Sequence, residues 1–252
     1  MGVLRGLLPP LLGALGFIAF WQVAVLLGVA DPVLLPSPAE TARDTWAALT
    51  TGTLAHDLGR TVSRTLLSFA IASCIGVPLG VALGARERLY RAVEFVVDFF
   101  RSTPASALFP LFLVLFGTGE ATKIAVAAFG AALVILFNAA YGVMNARRTR
   151  VLAARVMGAG SARILVDVLV WEALPQILVG MRQGVSLALV IIVVAEMFIG
   201  STDGLGQRVI NAQMLFESGL MYGAIFVAGA LGYALNLLFL LMEKRFVHWS
   251  GK

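Results

Sequence analysis

Apolar residues in this chain come in long unbroken runs, without the period-two alternation of a half-buried strand or the narrow stripe of a soluble helix. A helix crossing a bilayer needs roughly 20 mostly apolar residues. Six stretches reach that length: residues 6–30, 65–84, 92–116, 124–144, 177–200 and 220–242. The pattern predicts an all-α integral membrane protein with six transmembrane helices. The first run follows Arg5 and contains no Asp, Glu, Lys or Arg. It exceeds the ~7–15-residue core of a signal peptide and lacks a small-x-small cleavage site before Asp31, so a retained helix is expected.

Polar positions mark the breaks. Residues 31–64 are mixed, with Leu35-Pro-Ser-Pro38 as an extended entry. Ser37 and Pro38 are suited to be cap and first residue of a helix near 39–49. The third run carries Glu94, Asp98 and Arg101, then Pro104 and Pro110; the fourth carries Asn138; the fifth carries Arg182 and Glu196. Residues 202–217 read as a polar loop.

Composition strengthens the membrane reading. Hydrophobic residues make up 60% of the 252-residue chain and charged residues 13%, against about a quarter charged in soluble domains. Mean hydropathy is +0.92. The net charge of +5 sits in short turns, without the basic stripe and interleaved aromatics of a nucleic-acid binder. With six crossings, Arg5, the 86–91 turn, the 147–163 loop and Lys244–Arg245 fall on one side. Acids balance bases on the other. The positive-inside bias then places both termini and the Arg-rich loop in the cytosol.

Candidate chemistry is sparse. Cys74 is the one cysteine, which excludes a disulfide within the chain, and it is expected to be a small buried hydrophobe. His56 and His248 lie far apart, which is poor material for a metal site or a Ser-His pair. No phosphate-binding Gly-x-x-x-x-Gly-Lys-Ser/Thr loop occurs, so any ATP must be held by another chain. Ionisable groups in lipid are costly and point to function by default. Glu196 either lines a vestibule, holds a closed gate, or partners a neighbouring helix or the 202–217 loop. Asp98 and Arg101 share a helical face; they form a local ion pair, or Arg101 lines a pathway opened by Pro104. Asn138 either bonds across helices or touches a solute. Arg182 reads as a snorkelling anchor, and Glu120 with Lys123 as a solvated turn pair.

The 147–175 loop stands apart. It holds Arg147, Arg148, Arg150, Arg155 and Arg163. Residues 151–157 are Ala/Leu/Arg-rich and helical by propensity; Gly158 is a natural stop and Gly160-Ser161 a turn. Small Ala153, Ala154, Gly158 and Ala159 allow close approach by a partner. The plain alternative is a basic loop with a fortuitous helix.

The order of these residues resembles the cytosolic loop of ABC importer permeases, with the Glu-Ala-Ala…Gly motif of the binding-protein-dependent transport family. Ala153-Ala154-Arg155-Val156-Met157-Gly158-Ala159 matches its Ala-Ala-x-x-x-Gly core, and Leu174-Pro175 matches a Leu-Pro opening the next span. Leu152 stands where the motif has Glu, and Trp171 where it has a first Pro. Leu35-Pro-Ser-Pro38, Pro78-Leu-Gly80, Arg101-Ser-Thr-Pro104, Phe116-Gly-Thr-Gly-Glu120 with Lys123, Asn138, Ala195-Glu-Met197 and Gly204-Leu-Gly206 recur in this order in a branch resembling nitrate, sulfonate and taurine permeases.

The resemblance implies a type I importer permease-like fold, with a coupling helix between spans 4 and 5. It implies ATPase coupling through Leu152, Ala153, Ala154, Arg155, Gly158 and Ala159, and a pathway or gate at Arg101, Pro104, Asn138, Glu196 and Met197. It divides the chain into an N-terminal helix with an extracytoplasmic segment (1–63), a five-helix permease core (64–245) and a cytosolic tail (246–252). Expected partners are ABC ATPase subunits carrying ATP and Mg, a second copy of the chain in a homodimer, and an extracytoplasmic solute-binding protein. The chain itself binds no cofactor and does no catalysis. The expected setting is the bacterial inner membrane, and the expected solute is small and anionic. A secondary transporter driven by an ion gradient is the rival. Against it stands the absence of paired helix breaks in two halves.

Overall fold

The computed structural model describes residues 2–31 and 33–246. Helices account for nearly all of them: α1 Gly2–Leu26, α2 Pro38–Thr50, α3 Thr53–Gly84, α4 Glu87–Ser102, α5 Phe109–Phe116, α6 Glu120–Met144, α7 Arg148–Val156, α8 Ser161–Ile164, α9 Val170–Phe198, α10 Leu205–Met214 and α11 Ser218–Phe246. Among the described residues there is no strand. Among the described residues five stretches are long and apolar enough to cross a membrane, and the bent pair α4–α5 makes a sixth when its two arms are counted as one span.

Local chemistry explains the boundaries. Ser37 caps α2 by accepting from the Glu40 amide at 3.2 Å, and Glu40 accepts in return from the Ser37 amide at 2.8 Å. This is a capping box, with Pro38 supplying the preset first turn. The third run was expected as one span over 92–116. Instead it bends by 95° between residues 102 and 105. Pro104 has no amide to continue the helix, and it drives Thr103 to an extended ψ of 125°.

Two further expectations are corrected. The second span begins at Thr53, twelve residues before position 65, and its extra turns carry Asp57, Arg60 and Arg64. The 202–217 segment is no loop: α10 occupies most of it, burying Leu205, Gly206, Val209 and Ala212.

Helices α3, α6 and α9 form the centre. Lipid supplies no hydrophobic drive between helices, so close backbone approach through small residues matters. Gly76, Gly80 and Gly84 of α3 recur every fourth residue and face the carbonyls of Ala132, Leu136 and Ala140 on α6. A Cβ on Gly76 would stand 2.8 Å from the Ala132 oxygen. On the other side of α6, Gly180 and Gly184 of α9 lie against Asn138 and Ile135. Ala72, Ala131, Ile135 and Ala188 fill the layer between the three helices. Cys74, expected to be buried, is exposed. It falls off the stripe Thr65, Ser68, Ala72, Gly76 and Gly80 that α3 turns inward.

Helix α11 closes one flank of α9, with Leu235 and Phe239 packed on Val185 and Leu189. Outside it, α1 stacks Trp21 on Phe226 and donates the Trp21 indole N–H to the Pro36 carbonyl at 3.0 Å. Helices α2 and α10 sit at one end of the bundle. Helices α7 and α8 sit at the other, beyond Met144.

Candidate functional site

Helix α7 carries Leu152, Ala153, Ala154 and Arg155 of the expected coupling residues, and Gly158 and Ala159 follow its end. It is tied down by an Arg150–Glu172 ion pair and by the Arg147 amide, which donates to Glu172 at 3.4 Å. Glu172 escaped the sequence reading because it lies 25 residues along, outside the basic cluster. Gly158 ends the helix with φ +83°, a left-handed conformation that glycine adopts without penalty. The amides of Gly158 and Ala159 return to the carbonyls of Arg155 and Ala154 at 2.9 and 3.0 Å. Ala154 packs inward, while Ala153 and Arg155 are exposed. Leu152, Val156 and Met157 turn outward, the last two 88% and 80% exposed. Beside this apolar ledge lies a cleft of about 640 Å³ lined by Gly84, Val143, Arg148, Leu152 and Arg155.

The five expected pathway or gate residues fall into two groups. Arg101 pairs with Asp98 at 3.2 Å, both half exposed, and its guanidinium lies 4.6 Å above the Phe137 ring. Pro104 forms the break just after it. Asn138, next to Phe137, bonds across helices: its oxygen accepts from Gln176 at 2.8 Å and its amide donates to Gln183 at 3.2 Å. Glu196 and Met197 lie toward the opposite end. Met197 packs beside Leu54, Leu205 and Val209. Arg182 reaches Glu243 at 3.4 Å.

Glu196 belongs to a buried charge cluster. It is fully buried, and it accepts from Arg64 Nη1 at 2.7 Å, from Thr61 Oγ1 at 3.0 Å and from the Gly206 amide at 3.0 Å. Arg64, 2% exposed, also donates to Glu120 at 2.6 and 2.7 Å, to the Asp203 carboxylate, and to the Asp203 carbonyl at 2.9 Å. Arg60 adds a bond to Asp203 at 3.1 Å. Lys123, expected with Glu120 as a solvated turn pair, is instead 2% exposed and bridges Glu120 at 3.2 Å and Ser201 at 2.9 Å. Asp57 accepts from the Gly204 amide at 2.9 Å and from Arg208 at 2.7 Å.

Four acids thus meet four bases. A buried charge costs several kcal/mol unless paired and hydrogen-bonded, and each member here has partners. For Asp203, in the turn after α9, burial alone would push the carboxyl up. The Arg64 hydrogen bond and charge, helped by Arg60, hold it below the usual carboxylate range. The bonds also reach the start of α10: the Leu205 and Gly206 amides donate to Thr61 and Glu196. One cluster therefore fastens α3, α6, α9 and α10 at the end opposite α7. Among the described residues, no group of three His, Cys, Asp or Glu is placed to hold a metal ion.

The chain is similar along most of its length to known transport proteins. It is 32% identical to a riboflavin transport system permease protein of Chloroflexus aurantiacus, over 93% of this chain and 87% of that one. It is 27% identical to the taurine transport system permease protein of Escherichia coli, over 92% and 86%. Its fold matches a chain of the MetNI methionine ABC transporter in an inward-facing form, with a TM-score of 0.69, 22% identity, and coverage of 77% of this chain and 96% of that one. Residues 76–249, which contain α7, most of the glycine-packed centre, Glu120, Lys123, Glu196 and Asp203, match a family model. By that match the chain belongs to the family of binding-protein-dependent transport system inner membrane components.

Proposed function

We propose that this chain is the membrane-spanning subunit of an ATP-driven ABC importer, acting as a homodimer with two ATPase subunits that hold ATP and Mg. A solute-binding protein delivers a small anionic solute from outside. In this reading the permease core, expected from residue 64, starts with α3 at Thr53 and runs to 245; the residues before it add a helix and an extracytoplasmic segment, and the expected cytosolic tail 246–252 lies, beyond Phe246, outside the described residues. The observation that carries it is the outward ledge of α7, since an exposed apolar strip at the wet end of a membrane bundle suits a protein partner. Leu152 and Val156 are one helical turn apart, so the leucine that replaces the motif's Glu extends the ledge. Packing of an apolar helix into a groove then takes the place of a charged contact. Movement of α7 with the ATPase dimer would bias the bundle between two states of access.

The relatives named for taurine and riboflavin differ in solute chemistry. A solute bearing an oxyanion group, such as nitrate, a sulfonate or taurine, is favoured here by Arg101, which lies half exposed within a span beside its partner Asp98.

Reconstitution with an ATPase and a binding protein tests the reading. Taurine, nitrate and riboflavin uptake should require ATP for at least one of the three and persist without ion gradients. Uptake that follows a gradient and ignores ATP would establish the secondary-transporter alternative. In the same complex, Val156→Asp buries a charge in the contact. It should weaken ATPase binding by about 2 kcal/mol, roughly thirtyfold, while membrane insertion is unchanged.

A further inference from the structure

A helix face turned to acyl chains carries apolar side chains, because an amide or charge there goes unpaired. The outward side of α3 obeys this rule, with Leu66, Leu67, Ile71, Ile75 and Leu79 exposed. The open side of α9 does not. Helices α3, α6, α10 and α11 pack around α9 and leave uncovered a strip holding Gln183, Val190 and Phe198. Gln183 stands midway along the helix. Its oxygen accepts from Asn138 at 3.2 Å; its amide nitrogen meets no acceptor among the described residues.

Arg101 approaches the same front. Its guanidinium covers Phe137, the neighbour of Asn138. The 3₁₀ turn Ala105–Leu108 that follows it packs against Ile191 of α9 and faces Gly130 of α6. The end of α4 and the open side of α9 therefore flank one stretch of α6. Both offer hydrogen-bond donors there: Arg101 gives one of its five N–H groups to Asp98 at 3.2 Å and keeps the others.

We infer that this strip faces a water-filled pathway, and that the Gln183 amide and the Arg101 guanidinium bind an oxyanion, such as a sulfonate, as it passes. The oxyanion rests on the importer reading above; hydration of the strip does not. Gln183 was absent from the expected site residues because one glutamine in an oily run is a faint signal. Its position shows only when α6 supplies Asn138.

Thiol chemistry separates the possibilities, since thiolates form and react in water. With Cys74→Ala the chain has no other cysteine. Gln183→Cys and Val190→Cys are then compared with Leu67→Cys in the complete transporter in membrane vesicles. The probes are an anionic sulfonatoethyl and a cationic trimethylammonioethyl methanethiosulfonate. Both strip positions should react at least roughly tenfold faster than Leu67→Cys. Rates equal to that control overturn the hydrated strip, even in a complex that imports with ATP. Relative to a small thiol in solution, Gln183→Cys should favour the anionic probe, and adding Arg101→Gln should reverse the preference. An unchanged preference, or a transporter that ignores ATP, overturns the oxyanion while fast labelling still supports a hydrated strip.

Discussion

Arg64 bonds to three carboxylates contributed by α6, α9 and the turn after α9. Arg60, one turn earlier, is 42% exposed at its side chain and touches two of the same carboxylates. The two arginines should therefore respond differently to removal. Arg64→Gln strands the fully buried Glu196 and should cost about 3–5 kcal/mol; Arg60→Gln breaks a solvent-screened pair and should cost about 1 kcal/mol or less. Thermal unfolding of the purified protein reads the difference, and equal losses would show that burial does not govern the cluster. Asp203 adds a pH dependence. Its folded pKa lies below the unfolded value, so its contribution is present above the unfolded value, near 3.9, and is lost as pH falls through the folded one. Asp203→Asn should flatten the fall in melting temperature below about pH 4. This cluster was only half legible in the sequence. Glu196 stood out as a charge in an oily run. Arg64 did not, because it preceded the expected second span and its partners lie 56, 132 and 139 residues away. Spacing alone made Glu120 and Lys123 resemble a surface pair; Glu120 is indeed 45% exposed at its side chain, and only the Ser201 contact reveals Lys123 as buried.

Among the elements, the seam between α3 and α6 is the most demanding. Gly80 has the Leu136 carbonyl and the Ala139 side chain where a Cβ would stand. Gly80→Leu should force the helices apart at a cost of about 1–3 kcal/mol, visible as a lower melting temperature. Gly16→Ala in α1, with nothing within 4 Å, should be neutral or gain up to about 1 kcal/mol in helix propensity. Equal losses at both sites would show that the seam is loose. Apolar run length foretold the long helices, because bilayer thickness and backbone hydrogen bonding leave few other solutions. The stop of α7 at Gly158 and the cap of α2 at Ser37 were legible for local reasons. The bend after Arg101 was not: Pro104 announces a break, but its angle depends on how Phe109 and Phe112 find the core of α6 and α9. Helix α10 stayed hidden because it is short and polar outward, and its apolar side acquires meaning only against Leu54 and Ala224.

For the whole molecule, the two ends differ in charge economy. The cluster end matches Asp57, Glu120, Glu196 and Asp203 with Arg60, Arg64, Lys123 and Arg208. The α7 end carries Arg86, Arg88, Arg147, Arg148 and Arg155 with no ion pair among the described residues, because its nearby acids Glu87, Asp167 and Glu172 are taken by Arg91, Arg163 and Arg150. Unmatched bases are retained on the cytosolic side during insertion, so the cluster should face outward and α7 inward. That orientation also puts the apolar ledge where ATP is available to a partner. In the Cys74→Ala background, Met157→Cys should be labelled by an impermeant maleimide only from the cytosolic side. Phe216→Cys, exposed just beyond α10, should be labelled only from outside. The reverse pattern would place α7 away from ATP and remove the basis for ATPase docking, however well the ledge suits a protein partner.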